Sequence, residues 1–301
     1  MKKTFLSLII LFACTYVNAD SLRIRVASYN VRYENRGDAR NGNGWEQRCP
    51  VIANMTLFHD FDLMGTQECK HNQIEDLCLL LPEYAYIGIG REDGKTKGEY
   101  SAIFYKKNRF ELLEDGNFWL SETPEIPSKG WDAQFERICT WGKFKDKNSG
   151  QSFYYFNLHL DHIGKAARKN SAQLVLNRIK ELKGEYPAIL SGDFNVDQNN
   201  ESYILLDSSG ILRDSYNLSP LRYINNGTFN DFNPNRKSDS RIDHIFVSTQ
   251  FSVSRYAVLT DVYWNLTPVD NENAKSQESN SEKYKISLPS DHYPVVIDLN
   301  L

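Results

Sequence analysis

The strongest constraint on this chain is a recurrence. Apolar runs of strand length follow one another from "LRIRVASYNV" near the start to "YPVVIDL" near the end, and several of them stop on a polar or acidic side chain. Between these lie "DLMGTQE", "YAYIGIG", "YSAIFY", "FWLSE", "RICTWGKF", "SFYYFNLHL", "AILSGDFN", "RIDHIFVS" and "YAVLTDVYW". Runs this short, bounded by Gly, Asn and Asp, read as strands. Helical spacing appears elsewhere. One helix is expected from Trp45 to Phe58, and a second carries Ile74, Leu77, Cys78 and Leu81 until Pro82 stops it. A third, Lys165 to Lys183, puts Ala172, Val175, Leu176, Ile179 and Leu182 on one face, and a short one is expected near Tyr203 to Ser208. Many strands with helices in separated places predict an α/β or α+β architecture, with sheets packed together and helices outside.

At 301 residues and 41% hydrophobic content the chain can bury a sizeable core. No linker divides it, so residues 20–301 are read as one domain and as a monomer. The opening nineteen residues read as an export signal: Lys2 and Lys3, an apolar run from Phe5 to Ala13, and a small-residue cleavage site ending at Ala19. That run is shorter than the roughly 20 residues a spanning helix needs. Lipidation at Cys14 is the less favoured alternative, because Phe12 is bulky where such sites are small. Cleavage would take the formal charge from −4 to −6 by removing two lysines. An acidic chain without a long basic run is poorly suited to duplex DNA and better suited to small or single-stranded phosphorylated partners. Four cysteines would remain, Cys49, Cys69, Cys78 and Cys139, and the sequence leaves buried thiols and one or two disulfides equally open. The polar stretch from Pro268 to Lys285 is expected to be a loop, and its place just before Asp291 makes it a candidate flap.

Chemistry concentrates where the apolar runs end. Strand alternation puts Asn157, His159 and Asp161 on one face of "FNLHLDH". Asp193 and Asn195 fall just past a strand, after a Gly192 that lets the backbone turn. Asn30, Glu68, Asp243 and the pair Asp291-His292 hold comparable positions. Each has an ordinary explanation as a cap, a turn or a surface charge. Their recurrence is the signal.

Taken in order, "SYNVRY", "GTQE", "SAIFY", "NLHLDH", "SGDFN", "RIDHIFV" and "SDHYPV" resemble the endonuclease/exonuclease/phosphatase superfamily, over essentially all of residues 22–301. "FWLSETP", "KGWD" and "RICTW" are similar to its bacterial, often exported branch. The resemblance implies a DNase-I-like four-layer sandwich, two mixed sheets flanked by helices, and divalent-metal phosphoester hydrolysis. By that match Glu68 is the chief ligand of Mg²⁺ or Mn²⁺, with Asn30 lending an oxygen and Asp291 close by. Asp193 orients or deprotonates the attacking water, and Asn195 holds that water or the phosphate. His292 contacts a phosphate oxygen while Asp243 fixes its tautomer, or the two together act as the base; His159 is a second phosphate donor. Asn157, Arg137 and Arg168 are the expected substrate contacts, with ion pairing left as the alternative for the arginines. Phe229 and Phe232 either stack on a base or sugar or pack beneath a loop.

Two competing classes remain in view. A non-catalytic binding protein keeping the fold and a structural cation would be expected to have lost Asp193, Asn195, His159 or His292, and all are present. A glycosidase with paired carboxylates gives the two histidines and the asparagines no role.

Overall fold

A computed structural model describes residues 21–266 and 284–301. In chain order the elements are β1 (Arg23–Asn30), α1 (Arg36–Arg40), α2 (Trp45–Phe58), β2 (Leu63–Gln67), α3 (His71–Leu80), β3 (Tyr84–Ile87), β4 (Ile103–Lys106), β5 (Phe110–Trp119), β6 (Ile138–Asp146), β7 (Ser152–His159), α4 (Lys165–Lys183), β8 (Ala188–Asp193), α5 (Glu201–Asp207), β9 (Leu212–Asp214), α6 (Ser215–Leu218), β10 (Leu221–Tyr223), β11 (Asp243–Ser248), β12 (Ser252–Val258), β13 (Tyr263–Leu266), β14 (Tyr284–Ser287) and β15 (Val295–Asn300). The strands make a seven-stranded sheet, β10-β12-β15-β1-β2-β4-β3, a six-stranded sheet, β5-β6-β7-β8-β11-β9, and the ribbon β13-β14. This is the expected sandwich.

Its layering follows from alternation. On β8, Ile189 packs between the sheets while Leu190 faces the helix side with Val175 and Ile179 of α4. On β1, Ile24 and Val26 face the second sheet while Ala27 and Tyr29 pack with Trp45, Cys49 and Ile52 of α2. Central strands buried on both faces must be apolar on both.

The face between the sheets changes character along its length. It runs Ile24, Val26, Ser28, Asn30 on β1, Tyr155, Asn157, His159 on β7, and Ile189, Ser191, Asp193 on β8. Because β1 and β2 are parallel, and so are β7 and β8, these strands all turn polar toward the same end of the sandwich. Strand β11 runs antiparallel to β8 and therefore enters at that end with Asp243.

Several expectations shift. Strand β5 begins at Phe110, well before "FWLSE", and "YAVLTDVYW" splits into β12 and β13. Tyr284 and Lys285, read as loop, belong to β14 and pair with Leu266 and Asn265. Residues 268–283 of the expected flap, and the export signal, lie outside the described residues. All four cysteines considered are thiols, with Cys49, Cys69 and Cys139 buried. No helix among the described residues is long and apolar enough to cross a membrane.

Candidate active site

At the polar end, register decides what meets. Asp193 lies between His159 on β7 and Asp243 on β11. Two aspartates directly opposite repel, so something else must hold them. His292 does: its Nδ1 lies 2.9 Å from Asp243 Oδ2 and its Nε2 3.7 Å from Asp193 Oδ2. Burial alone would lower the His292 pKa, but Asp243 and Asp193 overcome it and hold the ring as imidazolium, well above its ordinary value. Burial, and then the Asp243 charge, push Asp193 up to about 7 against the opposing pull of His292 and Asn30.

Asn30 joins the two sheets. Its Nδ2 donates to Asp193 Oδ2 at 2.9 Å and to Glu68 Oε1 at 3.0 Å, while its Oδ1 accepts from the Arg32 backbone N–H at 3.0 Å. Asn30 thus aims two carboxylates with its amide nitrogen, while its oxygen, the one expected to face a metal, accepts a single backbone N–H. Glu68 Oε2 also accepts from Tyr33 N at 3.2 Å. Asp291 is buried, with Oδ2 3.3 Å from Arg32 Nη1, and burial raises it to about 6, with Glu68 adding to the rise and His292 opposing.

Asn195 Nδ2 lies 3.0 Å from His159 Nε2 and donates to Leu160 O at 2.9 Å, while its backbone N–H donates to Asp193 Oδ1 at 2.9 Å. Burial first, then Arg137 and Arg91, lower the His159 pKa well below normal, so the ring is neutral and accepts at Nε2. Its Nδ1 is enclosed without a partner. His159 Nε2, the nitrogen expected to face the phosphate, also lies 3.5 Å from Asp193 Oδ2. Glu68 and Asn195 both sit at positive φ, 67° and 50°, a conformation that non-glycine residues seldom hold and that recurs where side chains are aimed for chemistry.

Asn157 requires a correction. It is fully buried; its Nδ2 donates to Thr66 O and Ala102 O at 2.9 Å each, and its Oδ1 accepts from Gln67 and Ser191. Every bonding site is taken, so it ties the sheets together and is closed to substrate. Arg137 pairs with Asp161 at 3.2 Å, and Arg168 Nη1 donates to Asp161 O at 2.9 Å, so both converge on the exit of β7. Phe229 packs against His292, ring centroids 5.0 Å apart, while Phe232 packs against the core between the sheets.

Two features escaped the sequence reading. Arg48 of α2 is wholly buried and donates to the carbonyls of Asn43, Val31, Arg32 and Pro289, tying the loop after Asn30 to the loop before Asp291. A charge three residues after Trp45 and four before Ile52, on the apolar stripe, was its signal. Arg91 and Glu99 form a 2.7 Å pair in a loop punctuated by Gly90, Gly94 and Gly98.

The residues fit a hard divalent cation. Carboxylate oxygens crowd here, and the side chains of Glu68, His159 and Asp193 offer atoms within 4.8 Å of one another, as do those of Asp193, Asp243 and His292. With His292 held as imidazolium and His159 engaged, the oxygens are the available donors. The sequence pattern of the Endonuclease/Exonuclease/phosphatase family matches residues 27–292. The chain belongs to that family. Among solved structures of the family, one from Bacteroides thetaiotaomicron is 52% identical with a TM-score of 0.88, covering 93% of this chain and 98% of that one. A mannosyl-6-phosphatase from Bacteroides thetaiotaomicron is 54% identical with a TM-score of 0.86, covering 92% of this chain and 99% of that one. An uncharacterized protein of Acanthamoeba polyphaga mimivirus is 32% identical over 160 residues, 51% of this chain. The chain spans 60% of that relative's length and about a third of the other curated relatives it matches.

Proposed function

We propose that this protein is an exported, Mg²⁺- or Mn²⁺-dependent phosphatase that hydrolyses a phosphomonoester of a small sugar. The observation that carries the reading is Asp193, buried, pushed up to about 7, and set 2.9 Å from Asn30 and 3.7 Å from the His292 ring. A carboxylate with that affinity for a proton can take one from water near neutral pH. The likeness to the mannosyl-6-phosphatase, over nearly the whole of both chains, supports a sugar phosphate over a nucleic acid. The acidic balance and the missing basic stripe point the same way.

In this reading the ester's phosphate lies between Glu68 and His292. The His292 imidazolium donates from Nε2 to a non-bridging oxygen, with Asp243 holding the ring in place. Asp193 removes the proton from the attacking water, and Asn195 Oδ1 accepts from that water's second hydrogen. Glu68 and Asp291 would hold a divalent cation, whose Lewis acidity would offset charge on the phosphate oxygens. Asn30 keeps Glu68 and Asp193 apart and correctly turned. Export rests on the Lys2-Lys3 start and the apolar run before Ala19, and predicts a mature chain beginning at Asp20.

The test compares p-nitrophenyl phosphate with bis-p-nitrophenyl phosphate in Mg²⁺, Mn²⁺ or EDTA, for wild type and His292→Ala. Monoester hydrolysis that EDTA abolishes and His292→Ala lowers on the order of 10²-fold or more is expected. A preference for the diester would replace the phosphatase with a phosphodiesterase. Activity indifferent to EDTA and to the substitution would remove the mechanism.

A further inference from the structure

The segment "GREDGKTKGEY", residues 90–100 between β3 and β4, has no part in the steps above, yet it is among the most tightly built loops of the molecule. Arg91 N bonds to Glu99 O at 3.1 Å, Glu92 N to Lys97 O at 3.1 Å and Gly90 N to Lys95 O at 2.9 Å. Asp93 Oδ1 accepts from the backbone of Lys95 and Lys97. A Cβ at Gly90 would strike the Lys97 backbone, and Gly94 and Gly98 hold φ of 68° and 85°. Such a framework fixes one thing in space, the Arg91-Glu99 pair.

That pair lies near the reaction centre, for Arg91 acts electrostatically on His159 and Glu68 on Glu99. The Arg91 guanidinium lies 5.5 Å over the Phe135 ring, which stacks on His162 at 6.1 Å. His162 Nδ1 lies 3.0 Å from Arg137 Nη2, and Arg137 pairs with Asp161, two residues beyond His159. Phe135 is 41% exposed and the Glu99 side chain 17%, so part of an aromatic ring and part of a carboxylate reach solvent here. Arg91 Nε and Arg137 Nη1 are sealed from water without an acceptor, a cost that a purely structural pair has no reason to retain.

We propose that Arg91, Glu99 and Phe135 form the leaving-group subsite, and that it selects a neutral polyhydroxylated ring, a hexose, as the alcohol released from the phosphate. This rests on the phosphatase reading and deepens it. A sugar hydroxyl donates to a carboxylate and accepts from a guanidinium at once, and the C–H face of the ring lies against an exposed aromatic. A second phosphate or a nucleic-acid strand would instead bring its negative charge against Glu99, with Glu68 nearby.

The test uses mannose 6-phosphate and ethyl phosphate, both alkyl monoesters, of which only the first carries ring hydroxyls. Wild type is expected to prefer mannose 6-phosphate in kcat/KM by roughly tenfold or more. Glu99→Gln, which keeps the shape and removes the charge, should erase most of that preference, chiefly through KM, and Arg91→Lys should do the same. Equal losses on both esters would mean that the pair acts through the fold or the reaction centre and would overturn the proposal. An unchanged preference in a folded Glu99→Gln would overturn it as well. If neither variant folds, the wild-type ratio decides alone: no preference, no subsite. Wild type that cleaves neither monoester with Mg²⁺ or Mn²⁺ would instead remove the phosphatase reading, and the subsite with it.

Discussion

Two polar clusters lie between the same pair of sheets, one residue pair apart along the strands, and they are opposites. The inner one joins Asn157, Ser191, Gln67 and Tyr155, with Asn157 fully bonded and Tyr155 donating to Ala27 O at 3.1 Å. The outer one joins Asp193, Asp243, His292, His159 and Glu68, where carboxylates face each other and Asp243 Oδ1 and His159 Nδ1 stay unpartnered. The inner cluster consists of neutral groups that meet one another's bonding needs, apart from the buried Gln67 Oε1. The outer one keeps charges that do not cancel, so it can act on something that arrives. Uncancelled charge, and not polarity itself, separates chemistry from construction here.

The largest test removes the charge that makes the outer cluster reactive. Asp193→Asn should lower kcat on the order of 10³-fold while sparing the fold. Its stability should rise in EDTA, by a sign that can be followed. Asp193 has a higher proton affinity folded than unfolded, so ionising it costs stability: the cost is absent below its usual 3.8 and complete above about 7. Thermal melting at pH 8 should therefore gain from the substitution, and melting near pH 3.5 should not. A loss at pH 8 would show that the two clusters are not opposites after all.

A smaller effect sharpens the role of the partner acid. Asp243→Asn leaves burial to lower the His292 pKa and takes away the largest of the charges that raised it, with Asp193 still in place. The alkaline limb of the pH-rate profile should move to lower pH, with kcat falling roughly 10–100-fold. A limb that stays in place would assign the proton elsewhere. The smallest effect on rate, and the one that breaks construction, belongs to Asn157→Ala. It removes the bonds that Asn157 makes to the Thr66 and Ala102 carbonyls and accepts from Gln67 and Ser191, and should cost about 2–4 kcal/mol, a fall of roughly 3–7 °C in Tm, while kcat of the folded fraction stays within about threefold.

Much of this was legible in the sequence. Helices α2 and α4 fall at their expected limits because a long apolar stripe leaves few alternatives. Strand β5 was half hidden, since Glu111, Glu114 and Asp115 on a solvent-facing edge with a bulge dilute the apolar pattern. Asp193, Asp243 and His292 were readable as polar ends of apolar runs. Asn157 was readable too, and misread, because alternation says which face a residue takes and nothing about how far along the strand the packed interior ends. The turn of the Asn30 amide was not legible: which end of it points at a carboxylate depends on the backbone N–H of Arg32, which no pattern encodes.

One further consequence lies in the strand order. β15 pairs with β1 on one side and β12 on the other, so the last segment of the chain is a central slat of the first sheet, preceded immediately by Asp291 and His292. A chain interrupted before residue 291 would leave the place between β12 and β1 open and would lack Asp291 and His292. Truncated products of interrupted translation would carry neither a closed sheet nor a working centre.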